Sequence, residues 1–157
     1  MNLSGQTLMR RNAATKILAA ASERGVALDR LGVEVTESVL MGDLAVVERN
    51  LVQLRDHGMS VALDDYGTGW ASLAAIKRFP IDVVKIDRTF TAGLATNALD
   101  RAIVRGVAEI GRVLRLEVVA EGVETQEQAW IATDLGCTTL QGYRYGAASP
   151  LAALPRR

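Results

Sequence analysis

The sequence comprises 157 residues, of which 49% are hydrophobic and 23% are charged, as expected for a globular protein with one compact domain. Its 18 basic and 18 acidic residues give a formal net charge of zero, which argues against a broad DNA-binding surface. The single cysteine, Cys137, excludes an intrachain disulfide and fits a reducing, cytoplasmic setting. No apolar stretch reaches the roughly 18 residues of a membrane-spanning helix, and no signal-peptide pattern opens the sequence.

Helix and strand patterns alternate along the chain. Ser4 is predicted to cap the first helix, which ends at Gly25. The predicted helices span residues 5–24, 44–57, 70–78, 97–114 and 126–135. The predicted strands span residues 31–37, 61–65, 82–87, 117–121 and 137–142, and residues 1–4 resemble the end of a further strand. This alternation favours an α/β fold with a parallel sheet or barrel.

Polar residues close the predicted strands. In a barrel of alternating strands and helices these ends meet at one face, where active sites are built. Buried acids are costly unless they are paired or bind a metal, so the series predicts a metal site. The alternative is that these acids only cap helices and form turns. In chain order the residues are Asn2, Glu34, Asp64 with Asp65, Lys85, Glu121 and Gln141.

Two adjacent carboxylates, Asp64 and Asp65, stand at the end of the second complete predicted strand. Like charges in a partly dry site repel each other, so a compensating cation or proton is needed. Oxygen ligands favour Mg²⁺ or Mn²⁺, and two such ions about 4 Å apart can share a bridging aspartate in phosphoryl chemistry. Lys85 would orient the attacking water or neutralise the phosphate, or it is only a salt-bridge partner. A solvated Asp-Asp turn is the alternative for this stretch alone.

The sequence resembles the EAL-domain family, the cyclic-di-GMP phosphodiesterases of bacterial signalling. The resemblance extends from residue 2 to about residue 146, with the motifs in the family's order and close to its spacing. The matching motifs are Asn2-Leu3-Ser4, Glu34-Val35-Thr36-Glu37-Ser38, Asp64-Asp65-Tyr66-Gly67-Thr68-Gly69, Lys85-Ile86-Asp87, Ala120-Glu121-Gly122-Val123-Glu124-Thr125 and Gln141-Gly142-Tyr143.

The resemblance implies a modified (β/α)₈ TIM-type barrel that hydrolyses cyclic di-GMP to linear pGpG with Mg²⁺ or Mn²⁺ in a two-metal site. By position, Asn2, Glu34 and Asp64 resemble the family's ligands of the first metal. Asp64, Asp65 and Glu121 resemble the ligands on the side of the second metal. Asp65 and Glu121 are therefore expected to take part in catalysis as well as in metal binding.

Further roles follow from the same resemblance. Lys85 matches the catalytic lysine near the attacking water, and Gln141 matches the glutamine of the substrate region. Glu37 and Glu124 match glutamates that stabilise the loop after Asp65. That loop and the helix behind it imply a homodimer, and an upstream sensor or cyclase domain is a further expected partner.

The Glu-Ala-Leu or Glu-Val-Leu triplet that names the family is absent from the 157 residues. We expect residues 1–157 to form the C-terminal two-thirds of the barrel, with about five to six of its strands. Loss of the triplet's glutamate would weaken metal binding and turnover. An alternative is a non-catalytic module that binds cyclic di-GMP or a protein. A magnesium-dependent barrel lyase using Lys85 as its base ranks third, because it leaves Asn2 and Gln141 without a role.

Overall fold

The computed structural model describes residues 1–36, 44–67 and 73–147, except for the side chains of Ala74 and Ala75. Within these ranges the chain forms one parallel sheet of five strands, which are neighbours in the order of the sequence. Asn2 extends the sheet by a single parallel bridge to Glu34. The strands are β1 (Gly32–Thr36), β2 (Ser60–Tyr66), β3 (Val83–Ile86), β4 (Glu117–Ala120) and β5 (Thr139–Leu140). The predicted α/β fold with a partial barrel is confirmed.

Helices connect consecutive strands, as parallel pairing requires. Asn97 caps the longest helix by accepting hydrogen bonds from the amides of Leu99 and Asp100. Thr125 and Gln128 form a reciprocal capping box at the last helix. The helices are α1 (Gly5–Leu8), α2 (Ala13–Glu23), α3 (Leu44–Asp56), α4 (Leu73–Arg78), α5 (Arg88–Ala92), α6 (Ala98–Leu114) and α7 (Gln126–Asp134), and short 3₁₀ turns cover Leu28–Arg30 and Tyr143–Tyr145. No helix among the described residues has both the length and the apolar character needed to cross a membrane.

The core lies between the sheet and its helices. Alternate strand residues point to this outer face, and each is at most 1% exposed: Val33, Val35, Val61, Leu63, Val84, Ile86, Val118 and Ala120. They pack with apolar residues of α3 and α6 in one cluster. The intervening strand residues therefore point to the opposite, inner face, because side chains alternate along a strand.

The prediction of one continuous helix over residues 5–24 is wrong. The chain leaves the helix after Leu8 and resumes it at Ala13. Asn50 of α3 is fully buried at this break. Its side-chain Nδ2 donates to the carbonyls of Leu8 (2.7 Å) and Arg10 (2.9 Å), and its Oδ1 accepts from the main-chain amide of Ala14 (3.3 Å). A side chain from a distant helix thus supplies the partners that a continuous helix would have provided internally.

Two other elements differ from the sequence prediction. The last strand is confined to Thr139–Leu140, and α5 was not predicted. Asp87 nucleates α5 because its carboxylate accepts from the amide of Thr89 at 2.9 Å, which is the hydrogen bond of a helix N-cap. The predicted start of the third helix at Trp70 and the predicted strand end at Glu37 lie outside the described residues.

Candidate metal centre

The strand register brings the polar residues of the sequence motifs to the inner face. Glu34 is in register with Ala62, and Thr36 with Asp64. Lys85 is in register with Val119, which lies two residues before Glu121 on the same face. Because the strands are parallel, their carboxyl ends coincide, and Glu34, Asp64, Lys85 and Glu121 converge there as the sequence predicted.

Lys85 lies at the centre of this cluster. Its ammonium nitrogen, Nζ, is 2.7 Å from Oε1 of Glu121, 2.9 Å from Oδ1 of Asp64 and 3.1 Å from Oε2 of Glu34. The residue is only 7% exposed, so these contacts replace most of its hydration. One ammonium thus joins carboxylates from three different strands, since Glu34 is on β1, Asp64 on β2 and Glu121 directly follows β4.

An irregularity in β2 turns two consecutive aspartates toward the same site. Between Leu63 and Tyr66 the strand advances by three residues while β3 advances by two, so β2 carries one extra residue. Asp65 adopts a left-handed backbone conformation with φ of 54°. Such a conformation is uncommon outside glycine but tolerated by aspartate. In a regular strand Asp64 and Asp65 would point to opposite faces, so the bulge is what brings both carboxylates together.

The electrostatics of the cluster show an excess of negative charge. Burial favours the neutral amine of Lys85, but hydrogen bonds to Glu121, Asp64 and Glu34 outweigh it and hold the pKa above its usual range. Burial raises the pKa of Glu121; Lys85 opposes this shift, whereas the charges of Asp64 and Asp65 reinforce it. Three carboxylates contact the one ammonium that the described residues place in the cluster, so additional positive charge would stabilise the group.

The donor set fits a hard divalent cation. Carboxylate oxygens of Asp64, Asp65 and Glu121 all lie within 4.8 Å of one another, so a cation between them would be within reach of each. An all-oxygen set of this kind suits Mg²⁺ or Mn²⁺ better than metals that prefer nitrogen or sulfur. The negative charge is carried by the same carboxylates whose oxygens converge, and both features favour a cation at this position.

Two further predicted site residues, Asn2 and Gln141, lie at the same end of the sheet as this cluster. Asn2 pairs with Glu34 in a parallel bridge, in which the main-chain amide of Leu3 donates to the carbonyl of Glu34 at 2.9 Å. This pairing places the side chain of Asn2 on the inner face beside Glu34. Gln141 follows β5 directly at the same end of the sheet, and its main-chain amide donates to the carbonyl of Ala120 at 2.9 Å. Glu124 is exposed at the start of α7, and Glu37 lies outside the described residues.

Two residues outside the motifs, Arg88 and Phe90, contact glycines of the motifs beside the centre. Gly67 and Gly122 each follow site acids, and both have positive φ, 102° and 66°. A β-carbon on Gly67 would lie 2.7 Å from the ring of Phe90, and one on Gly122 would lie 2.5 Å from Cβ of Arg88. The sequence signal for the helix that carries Phe90 and Arg88 was Asp87, an N-cap residue directly after a strand.

The fold and the site together define an α/β-barrel protein with acidic side chains gathered at the carboxyl ends of its strands. The family model described as EAL domain matches residues 1–148. The chain belongs to the EAL domain family.

The relatives include proteins whose names state a phosphodiesterase activity. Cyclic di-GMP phosphodiesterase NbdA of Pseudomonas aeruginosa is 36% identical over 154 residues, which cover 98% of this chain and 20% of NbdA. The solved structure of the PaMucR phosphodiesterase in complex with c-di-GMP aligns with a TM-score of 0.88 and 38% identity, over 96% of this chain and 61% of that one. A manganese and cyclic-di-GMP complex of Klebsiella pneumoniae BlrP1 aligns with a TM-score of 0.84 and 29% identity, over 92% and 37% of the two chains. The chain spans about a fifth of the length of the curated relatives it matches.

Proposed function

We propose that this chain carries a metal-dependent phosphodiesterase site that hydrolyses cyclic di-GMP to linear pGpG. The observation that carries the proposal is the convergence of Glu34, Asp64 and Glu121 on Lys85 at the carboxyl ends of the strands, with Asp65 beside Asp64 and Glu121, in a member of the EAL family. NbdA is a cyclic di-GMP phosphodiesterase by name, and PaMucR and BlrP1 were solved with this dinucleotide, which supports the same substrate here.

The proposed roles follow the geometry of the cluster. Asn2, Glu34 and Asp64 would hold a first Mg²⁺ or Mn²⁺, and Asp64, Asp65 and Glu121 a second. Asp64 is the proposed bridge because it lies within 4.8 Å of the oxygens of the second group and shares Lys85 with Glu34. The manganese complex of BlrP1 supports a divalent cation. When bound, the two cations supply a reactive water at neutral pH and neutralise charge on the phosphate.

The side chains around the cations would direct the hydrolysis. Lys85, as a positive charge fixed by three carboxylates, would orient the attacking water toward phosphorus. Gln141 would position the substrate, and Glu37 and Glu124 would stabilise the loop after Asp65. The water forms a bond to phosphorus and loses a proton, the bond from phosphorus to the 3′ oxygen breaks, and that oxygen gains a proton. The product carries a 5′ phosphate and a free 3′ hydroxyl.

Proposals about assembly accompany this activity. Residues 1–157 would be the C-terminal two-thirds of an EAL barrel that works in the cytoplasm, where we expect its nucleotide substrate. A homodimer through the segment after Asp65 is supported by Leu73, which is 56% exposed at the start of α4. An upstream sensor or cyclase domain is supported by the greater length of the relatives.

The function is tested by following cyclic di-GMP hydrolysis in Mg²⁺ or Mn²⁺ by chromatography. Asp64→Ala and Glu121→Gln should abolish the formation of pGpG. Glu117→Gln is the matched control, because Glu117 lies on β4 on the same inner face, yet it bonds to Thr139 and not to Lys85. We expect Glu117→Gln to keep the activity of the unchanged chain.

The result also separates the alternatives. Binding of cyclic di-GMP without hydrolysis, unchanged by divalent cations, would point to a non-catalytic module. Hydrolysis that survives in Glu121→Gln would contradict the proposed site. Activity that is lost equally in Glu117→Gln would show that the effect of Glu121→Gln is not specific to the cluster.

A further inference from the structure

Helix α5 contacts the backbone turns that follow both sets of site acids. Phe90 packs its ring edge against Gly67, two residues after Asp65, where an added β-carbon would be 2.7 Å from Cε2. Arg88, two residues earlier on α5, packs its Cβ against Gly122, immediately after Glu121, where an added β-carbon would be 2.5 Å away. Each approach is possible only because the turn residue has no side chain.

Helix α5 is itself fixed in the fold. Its first turn begins at Asp87, whose carboxylate accepts from the amide of Thr89 at 2.9 Å. Thr91 is fully buried, as is Leu94 just after the helix, and α5 packs on α6 and α7. The helix starts one residue beyond β3, which carries Lys85. It therefore presents a rigid surface to both turns from the strand between them.

We propose that α5 is a spacer that sets the separation of the Asp65 and Glu121 carboxylates, with Phe90 and Arg88 as positioning residues. The inference rests on the metal site of the proposed function. Asp65 depends on its left-handed backbone to face Glu121, and that backbone is two residues from the point where Phe90 contacts Gly67. A shift of either turn away from α5 changes the oxygen-to-oxygen distances, which lie within 4.8 Å in the structure.

The test compares pairs of glycine-to-alanine substitutions with similar φ, in which the new methyl group meets α5 in one member and no close atom in the other. Gly67→Ala at φ of 102° is matched by Gly58→Ala at φ of 94°, where the nearest atom is an ordinary 3.9 Å away. Gly122→Ala at φ of 66° is matched by Gly25→Ala at φ of 62°, which meets nothing within 4 Å. The two members of a pair have similar positive φ and so bear a comparable backbone penalty, and the contact with α5 is made by only one of them.

The readouts are Mn²⁺ affinity by calorimetry and the melting temperature by circular dichroism. Gly67→Ala and Gly122→Ala should weaken Mn²⁺ binding about 10- to 100-fold, the usual effect of disturbing residues that support metal ligands. Gly58→Ala and Gly25→Ala should lower the melting temperature while keeping the affinity of the unchanged chain. A general loss of stability cannot produce that difference between matched variants.

A compensating variant keeps the test decisive where a single substitution unfolds the chain. The clash at Gly67 is with ring atoms of Phe90 that leucine lacks, so Gly67→Ala combined with Phe90→Leu should regain Mn²⁺ affinity relative to Gly67→Ala. Equal affinities within both matched pairs, or no recovery in the double variant, would overturn the spacer role. If the unchanged chain binds no Mn²⁺, the proposed metal function falls together with the inference.

Discussion

Replacing Lys85 with methionine removes the ammonium that the described residues place in the cluster and keeps an unbranched side chain that is one atom shorter. The change breaks contacts of 2.7, 2.9 and 3.1 Å to Glu121, Asp64 and Glu34. Removing one partner of a buried ion pair costs about 3–5 kcal/mol. The three carboxylates keep part of their exposure, so we expect the lower end, about 3 kcal/mol, in the absence of metal. For a chain of this size that corresponds to a melting temperature lowered by about 6–12 °C.

Divalent cations should reverse this loss. In Lys85→Met the carboxylates no longer have an internal cation, so Mn²⁺ has no ammonium to compete with and should bind more tightly than in the unchanged chain. A ligand at 100 times its dissociation constant stabilises the folded state by about 2.7 kcal/mol. The difference in melting temperature between the two chains should therefore shrink when EDTA is replaced by saturating Mn²⁺. Hydrolysis of cyclic di-GMP should remain absent, because the proposed water-orienting charge is gone.

The assay is thermal unfolding by circular dichroism in EDTA and in Mn²⁺. Lys16→Met serves as the control, because Lys16 is an exposed lysine of α2, and it should melt like the unchanged chain under both conditions. A Lys85→Met chain as stable as the unchanged one in EDTA would refute the ion-pair reasoning. An equal gain from Mn²⁺ in both chains would refute the competition between Lys85 and the metal.

Three further predictions concern stability. Asn50→Ala should lower the free energy of unfolding in urea by about 3 kcal/mol or more, because it leaves three main-chain groups without their hydrogen-bond partner. Arg49→Ala, a change at the neighbouring exposed residue, should alter it by no more than about 0.5 kcal/mol. Thr91→Val should raise the melting temperature by about 2–4 °C, since the buried hydroxyl has no hydrogen-bond partner among the described residues. The control Thr89→Val loses a hydrogen bond to Asp87 and should not raise it. A lower melting temperature for Thr91→Val would contradict this reasoning. Burial raises the pKa of Cys137 to about 11, so the stability that the neutral buried thiol contributes is present below the unfolded-state pKa and is lost as the pH rises toward 11. The free energy of unfolding relative to that of Cys137→Ala should therefore fall by about 2 kcal/mol between pH 8 and pH 11. A difference that stays constant with pH would disprove this prediction.

The sequence predicted the arrangement of the strands and the convergence of their polar ends because both depend on local pattern. Alternating apolar residues identified the strands, and parallel pairing necessarily brings Glu34, Asp64 and Lys85 to one edge. The division of the sheet into an apolar and a polar face follows from the same period of two.

The remaining features depend on contacts distant in sequence. Within residues 5–24 the break in the first helix is marked only by Asn12 at the N-cap of α2, whose side chain makes no capping hydrogen bond, and the partners that stabilise the break come from Asn50 in another helix. The extra residue in β2 is visible only once β2 is paired with β3, so the shared orientation of Asp64 and Asp65 could not be read from their adjacency. Phe90 likewise looked like an ordinary apolar residue until the fold placed it against Gly67.

The segregation of core and charge onto opposite faces of one sheet has a consequence for folding. A strand that paired one residue out of register would exchange its two faces, which would drive residues such as Asp64 or Lys85 into the layer beneath the helices and expose Leu63 or Val84. Burying an unpaired charge costs several kcal/mol, so such a misaligned intermediate would be rejected early. The charged residues at the strand ends therefore disfavour out-of-register strand pairing during folding, in addition to any chemistry they perform afterwards.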